Sequence, residues 1–182
     1  MSYTKILCSI LLISVTSIVA ITSYNNTWKT VIIEWGYETN PIDKWRPVIL
    51  IGSALGVWEE IFREAFSKVT PKPNSSQVHI NKQILLNALG PYGITNNRLD
   101  EVSNYYRYQP QGGNLWKHTK AKVKAIITEN EVTGFEILKA GNGYTVAPTI
   151  TVPGYSISTE VILQFSQNFQ TNGSIKEIKI LQ

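Results

Sequence analysis

The sequence predicts an α+β fold, with a small helical part at the N-terminus followed by an antiparallel β module. Three observations predict it. Apolar residues recur every three or four positions between Thr27 and Trp116, which is the period of an amphipathic helix. After Gly113 they alternate with polar residues, the period of a half-buried strand. A glycine-rich stretch, Ala140–Val152, lies between two alternating segments and indicates a strand–turn–strand unit.

Residues 1–20 are predicted to be a signal peptide. Lys5 is the only charge there, and it precedes an apolar run from Ile6 to Val19 that ends near Ala20. The export machinery recognises a positive start, an apolar run and a small residue at its end. A retained membrane anchor is the alternative, disfavoured because the run is shorter than the ~20 residues that span a bilayer. We therefore expect export to the periplasm, the cell surface or the extracellular space, with no stable membrane span after cleavage.

Cysteine content and charge exclude several classes of function. Cys8 is the only cysteine and would leave with the signal peptide. The mature chain is therefore expected to lack disulfides, thiolate nucleophiles and cysteine-bound metals. The 17 basic and 13 acidic residues are scattered, whereas nucleic-acid binding needs Lys and Arg clustered on one face. We expect no nucleic-acid partner.

Residues 21–113 are predicted to form a mainly helical domain, with two helix–turn–helix pairs packed as a small bundle. The helices are predicted at Trp45–Leu55, Val57–Val69, about Asn81–Leu89 and about Asn96–Tyr106. In the second of these, Trp58 begins an apolar stripe that is expected to face inward. The first is read as a helix because Pro47 suits a first turn and Gly56 an end, with a buried strand as the alternative. Thr30–Trp35 indicates a short strand or an extended arm.

Residues 114–182 are predicted to form a β-rich, repeat-like domain after a linker at Pro110–Gly113. Strands are predicted at Ala121–Ile127, Phe135–Ile137, Ile150–Val152, Val161–Phe165 and Ile178–Ile180. Asn130–Leu138 is similar to Asn172–Leu181, and each follows an alternating strand. This spacing lies in the range of structural repeats.

The β-rich part resembles a known repeat. Val132–Ile137, then Ala140–Tyr144, then Ala147–Thr151 resemble the β repeats of bacterial surface proteins and phage tail fibres, whose signature is Gly-Ser-Gly-Tyr-Thr-x-Ala-Pro-Thr-Val. The resemblance implies a structural or adhesive spacer without activity. The chain has one full copy of this repeat, with Asn142 in place of the usual serine. A single copy disfavours a fibre of tandem units. Leu89–Tyr108 also resembles exported bacterial proteins that have no assigned function, and it implies no chemistry.

Catalytic and metal-binding motifs are not recognised. His79 and His118 are the only histidines, and both fall in predicted loop or linker sequence without the spacing of metal ligands. The pairs Glu59-Glu60 and Asp100-Glu101 point to different sides of their helices, so neither pair forms a facing acid–base dyad. No nucleophile elbow, phosphate-binding loop or dinucleotide fingerprint is present. We expect no cofactor, no metal and no catalytic residue.

One aromatic cluster is predicted as a ligand-binding surface. Its members are Tyr105, Tyr106, Arg107, Tyr108 and Trp116. Flat rings beside amide and guanidinium donors can stack on sugar rings or on peptide side chains. We favour the alternative, in which Tyr106 and Trp116 seal the joint between the helical part and the β part.

The sequence thus predicts a disulfide-free, non-catalytic structural or interaction module of the cell envelope or extracellular space. An envelope glycan or another surface protein is the expected partner. The first alternative is a carbohydrate-binding module that uses the Tyr105–Trp116 cluster. The second is a hydrolase, which would require carboxylates such as Asp43, Glu60 and Asp100 to converge in one cleft.

Overall fold

The computed structural model describes residues 26–70, 74–107 and 115–181. In order, the elements are β1 (Thr27–Thr30), β2 (Ile32–Glu34), α1 (Val48–Leu55), α2 (Glu59–Ser67), α3 (Ser75–Leu89), α4 (Asn96–Tyr105), β3 (Lys122–Thr128), β4 (Glu131–Lys139), β5 (Thr149–Thr151), β6 (Ser158–Gln164) and β7 (Ser174–Leu181). Single 3-10 turns occur at Pro41–Asp43 and Gly90–Tyr92. The predicted α+β class is confirmed. The predicted signal peptide, the linker and Tyr108 lie outside the described residues.

Local chemistry explains several of the helix ends. α1 confirms the helix favoured over a strand, and Gly56 ends it in a left-handed conformation with φ 81°. α3 begins earlier than predicted because the Asn74 side chain accepts the Gln77 N–H at 2.8 Å and caps its first turn. Thr95 caps α4 in the same way, accepting the Arg98 N–H at 3.2 Å. None of the helices in the described ranges is long and apolar enough to cross a bilayer.

In the described residues the strands pair antiparallel, in three small sheets with the orders β1–β3–β4, β2–β5 and β6–β7. β3 shows the predicted alternation, since Val123, Ala125 and Ile127 are buried and Lys122 is exposed. β3 and β4 are joined at Glu129-Asn130, where both residues have positive φ, as tight hairpins require. β4 and β7, which carry the two similar segments of the sequence, are each the second strand of a hairpin.

The first two strands pair with the C-terminal part of the chain. Trp28 of β1 lies opposite Ile126 of β3, and Ile33 of β2 lies opposite Ile150 of β5. The sequence-based boundary placed residues 27–34 with the helices, whereas their hydrogen bonds tie them to the residues after 114. A strand pattern indicates which face of a strand is buried but not its partner, so this pairing was not predicted.

The helical part and the β module meet at the buried turn Asn172-Gly173, which we call the Asn172 junction. The Asn172 side chain donates to the Leu50 carbonyl of α1 at 2.8 Å and to the Tyr106 hydroxyl after α4 at 2.9 Å. Its oxygen accepts the Ser166 N–H at 3.1 Å. One fully buried amide therefore joins two helices to the β6–β7 hairpin, and each of these bonds forms out of water.

Candidate functional site

The structure removes two rings from the predicted aromatic surface. Tyr106 and Trp116 are 1% and 2% exposed. The Trp116 indole N–H donates to the Gly143 carbonyl at 2.9 Å, and burial raises the pKa of Tyr106 to about 12. Both rings pack at the joint between the two parts, so they are closed to a ligand. The proposal that they form a binding surface is therefore wrong for Tyr106 and Trp116, and their burial agrees with the favoured interpretation that they seal the joint.

The other members of that cluster are dispersed. Tyr105 is half-buried and stacks on Phe169, with the ring centroids 4.0 Å apart. Arg107 is exposed and donates to the Asn104 side chain at 3.0 Å. Tyr108 lies outside the described residues. No continuous aromatic face is therefore formed by Tyr105, Tyr106 and Trp116.

The carboxylates considered for a hydrolase do not meet in one cleft. Asp43 is buried and accepts two hydrogen bonds from Arg63, at 2.7 and 3.2 Å. These bonds raise the pKa of Arg63, which also donates to Glu59 at 3.2 Å. Glu60 lines a pocket together with Asp43, whereas Asp100 is held apart on α4.

Asp100 is joined to Lys82 of α3, with Nζ and carboxylate oxygen 2.7 Å apart. His79, predicted in a loop, lies on α3. Within the described ranges, no three His, Asp or Glu side chains lie close enough to hold a metal ion. The histidines and carboxylates considered from the sequence therefore do not converge on one site in the described residues, although Asp43 and Glu60 line the same pocket.

A pocket of about 440 Å³ lies where β2 ends, and we call it the Trp35 pocket. Its size is typical of small-molecule sites. It combines aromatic rings with two groups of opposite charge. It is lined by Ile33, Trp35, Tyr37, Glu38, Leu115, His118, Lys120 and Tyr144.

The rim of the pocket presents Trp35 in an unusual backbone conformation. Trp35 has φ 65° and is 72% exposed, and bulky residues rarely adopt positive φ. The next residue, Gly36, has φ 98°, and a Cβ there would lie 2.6 Å from the Tyr144 ring. The Gly36 N–H donates to the Glu38 carboxylate at 2.9 Å. The turn is therefore fixed by close packing and by a local hydrogen bond.

Thr145 holds the same turn from the opposite side. Its backbone N–H donates to the Gly36 carbonyl at 2.8 Å, and its hydroxyl donates to the Glu38 carbonyl at 2.6 Å. Thr145 is buried, so these bonds are protected from water. Trp35 thus stands on a braced backbone although its own ring contributes little to the core.

The floor of the pocket consists of stacked rings. Tyr37 stacks on Tyr144, with centroids 4.8 Å apart, and contacts His118 at 4.3 Å. His118 Nδ1 lies 2.8 Å from the Trp116 carbonyl. Because a carbonyl only accepts, Nδ1 carries the proton, and Nε2 of the neutral ring is an acceptor. The Tyr144 hydroxyl accepts the Ala121 N–H at 2.9 Å.

The Tyr37 hydroxyl is buried in this floor. Burial raises its pKa, and the neighbouring Tyr144 adds to the effect. No group in the described part of the chain reaches it with hydrogen-bonding geometry. It therefore stays protonated at neutral pH and supplies no base.

The glycine-rich motif packs closely against the segment that carries His118 of the pocket. Gly141 and Gly143 have φ 67° and 82°. A Cβ on Gly141 would lie 2.6 Å from the Thr119 carbonyl, and one on Gly143 would lie 2.7 Å from His118 Cβ. Only glycine permits this close approach of the motif to Thr119 and His118. The motif that the sequence indicated as a turn therefore also positions two pocket side chains.

Two smaller pockets are linked to the Trp35 pocket through shared lining residues. One of about 190 Å³ shares Glu38 with it, and another of about 250 Å³ shares Asp43 and Arg63 with the second. Several large exposed apolar side chains line these pockets or are next in sequence to residues that line them. We call them the tryptophan surface, which consists of Trp35, Ile42, Trp45, Trp58 and Val146.

Some members of the tryptophan surface line a pocket, and the others are next in sequence to residues that line one. Ile42 and Val146 line the two smaller pockets. Trp45 is next in sequence to Arg46, which lines the second pocket, and Trp58 is next to Glu59, which also lines it. Trp58 is 79% exposed, so the prediction that it faces inward was wrong. It precedes the first turn of α2 and therefore does not share the buried stripe of that helix.

Trp45 is presented in the same manner as Trp35. It has φ 61°, the preceding Lys44 has φ 51°, and Trp45 is 66% exposed. Lys44 Nζ donates to the Val69 carbonyl at 2.8 Å, which fastens the turn to the end of α2. Two exposed tryptophans therefore occupy left-handed backbone on anchored turns.

Sequence reasoning missed this surface because it looked for clustered aromatic residues. Trp35, Trp45 and Trp58 are spaced along the chain, and only the fold shows that Trp35 lines one pocket and that the residues next to Trp45 and Trp58 line another. The sequence feature that could have indicated exposure is the position of two tryptophans near turn residues, since Trp35 precedes a glycine and Trp45 follows the turn-prone Asn40-Pro41. Comparison of the chain with protein-family models, with curated proteins and with solved structures gave no match.

Proposed function

We propose that the chain is an exported, non-catalytic interaction module of the cell envelope or extracellular space, and that the tryptophan surface is its binding face. The exposure of Trp35, Trp45 and Trp58 carries this proposal. Burying a large apolar side chain stabilises a protein by roughly 2 kcal/mol. A chain that leaves three such rings in water forgoes that stabilisation. Tryptophan is also enriched among the residues that dominate binding energy at interfaces.

Backbone strain supports the same surface. A left-handed conformation costs a bulky residue about 1–2 kcal/mol, and both Trp35 and Trp45 adopt it. Strained residues persist where the surrounding structure over-determines them, and they cluster at ligand clamps and switch regions. The bonds from Thr145 and Lys44 supply that support here.

The charges near the surface favour binding over catalysis. Arg63 binds both Asp43 and Glu59, so three charged side chains are occupied with one another. Catalysis of hydrolysis needs an acid and a base facing a common bond. This network holds the segment that carries Trp45 against α2, which is a structural role.

Export and attachment are supported by the sequence. Residues 1–20 have the pattern of a signal peptide, and the residues after Ala121 resemble repeats of surface proteins. The Tyr105–Trp116 cluster is not the face we propose, since Tyr106 and Trp116 are buried.

The test is co-sedimentation of the full chain with an envelope fraction of the source cells. We expect the wild-type protein to bind. The triple variant Trp35→Ala, Trp45→Ala, Trp58→Ala is expected to bind at least about thirtyfold more weakly, because truncating even one tryptophan that acts as a hot spot costs about 2 kcal/mol or more. Its melting temperature should stay near that of the wild type, since these rings are exposed.

The matched control is Trp28→Ala. Trp28 is also exposed, at 50%, but it lies on β1 and lines none of the three pockets described above. This variant should bind like the wild type. Equal binding by the wild type and the triple variant would contradict the proposal, as would retention of the chain in the cytoplasm.

A further inference from the structure

We infer that the Trp35 pocket binds a pyranose ring of a neutral oligosaccharide, with the apolar face of the sugar stacked on Trp35. The inference rests on the proposed function and names the ligand class for one end of the tryptophan surface. A pyranose has a flat face of C–H groups and a rim of hydroxyls. It therefore needs an exposed aromatic face with polar groups around it, and the pocket provides both.

The stacking platform is the exposed Trp35 ring. Its backbone is already fixed by Thr145 and by the packing of Gly36 on Tyr144. A site that is rigid before binding loses less conformational entropy when the ligand arrives. The pocket volume of about 440 Å³ is of the size that holds small ligands.

The polar groups suit hydroxyls because a hydroxyl both donates and accepts. Glu38 has one carboxylate oxygen held by the Gly36 N–H, which leaves the other to accept from a sugar. His118 Nε2 is an acceptor in the neutral tautomer. Lys120 also lines the pocket, and its ammonium group can donate hydrogen bonds. Donors and acceptors are thus both present around one aromatic face.

The same groups disfavour other small ligands. The charges of Glu38 and Lys120 offset each other, so the pocket has no excess of cations for a phosphate. A fully apolar ligand would remove Glu38, Lys120 and His118 from water without supplying hydrogen bonds, which is costly. A metal ion is disfavoured because the described residues include no group of three ligands for it.

The test uses the full-length protein labelled with ¹⁵N and titrated with chitotriose, cellotriose and maltotriose. The Trp35 indole resonance, assigned by its loss in Trp35→Ala, is followed by NMR. We expect at least one of these oligosaccharides to shift it saturably. Trp35→Ala should abolish binding, Trp35→Phe should keep part of it because a ring remains, and Trp28→Ala should leave it unchanged.

Thr145→Val tests the bracing. It removes the hydroxyl that donates to Glu38 while keeping the side-chain volume. As a positioning residue, Thr145 should change the affinity severalfold without changing which oligosaccharide is preferred. Unchanged affinity in this variant, with a folded NMR spectrum, would contradict the role we assign to it.

The outcomes separate this inference from the proposed function. Suppose none of the three oligosaccharides shifts the Trp35 resonance, yet the wild type binds envelopes and the triple tryptophan variant does not. The saccharide inference is then wrong and the interaction module stands. Saturable binding that persists in Trp35→Ala, or that shifts Trp28 in place of Trp35, also overturns the saccharide site.

Discussion

Gly173→Ala is expected to destabilise the protein by roughly 4 kcal/mol or more, which is at the extreme of single substitutions. Gly173 has φ 64°. An added Cβ would fall on the Tyr144 carbonyl oxygen and lie 2.6 Å from Leu50 Cδ2. Residues 144 and 173 cannot move apart without breaking the hydrogen bond in which the Tyr144 N–H donates to the Gly173 carbonyl at 2.9 Å. Urea unfolding followed by circular dichroism measures the loss.

Gly93→Ala is the matched control for that substitution. Gly93 has φ 80°, and a Cβ there would have no neighbour within 4 Å. It should therefore cost only the backbone strain of an L-residue, about 1–2 kcal/mol. Equal losses for the two variants would show that close packing at the Asn172 junction is not what makes Gly173 necessary.

Trp116→Ala is expected to cost about 3–5 kcal/mol of unfolding free energy. The side chain is 2% exposed and belongs to the core of the helical part, so its removal leaves a cavity. The substitution also leaves the Gly143 carbonyl without the indole N–H that it accepts, which adds a desolvation cost. Trp116→Phe keeps most of the volume but loses that bond, so it should fall between the wild type and Trp116→Ala.

Trp58→Ala makes the same chemical change in water. Because Trp58 is 79% exposed, the change in unfolding free energy should stay within about 0.5 kcal/mol. The pair therefore separates a structural tryptophan from a surface one. A large loss of stability in Trp58→Ala would mean that this ring supports the fold, and the tryptophan surface would lose one of its members.

Local periodicity accounts for most of the elements that the sequence predicted. The spacing of Phe62 and Ala65 marks the buried face of α2, and the alternation of Val123 and Ala125 marks the buried face of β3. These patterns depend on which side of a helix or strand faces the core, and the apolar residues within that element show which side it is. Element type was therefore readable without any knowledge of tertiary contacts.

Long-range pairing was not readable in this way. Nothing near Trp28 in the sequence indicates that it lies opposite Ile126. The turn at Asn172-Gly173 was predicted, but its bonds to Leu50 and Tyr106 come from distant parts of the chain. Such contacts depend on how the elements pack together, which a single sequence does not encode locally.

The site was missed for a related reason. Aromatic residues close in sequence suit either a core or a ligand surface, and periodicity does not distinguish the two. Tyr106 became core because Asn172 provides a buried partner for its hydroxyl. Trp35 is exposed on a turn with positive φ that follows β2. A buried hydrogen-bond partner accompanies the first outcome and a left-handed turn accompanies the second, and composition indicated neither.

Hydroxyl-radical footprinting of the free and envelope-bound protein tests the central claim most directly. The binding-face assignment predicts that oxidation of Trp35, Trp45 and Trp58 falls severalfold on binding, while oxidation of Trp28, which is also exposed, does not change. Protection of Trp28 with continued oxidation of Trp35, Trp45 and Trp58 would place the partner on a different face and contradict the assignment.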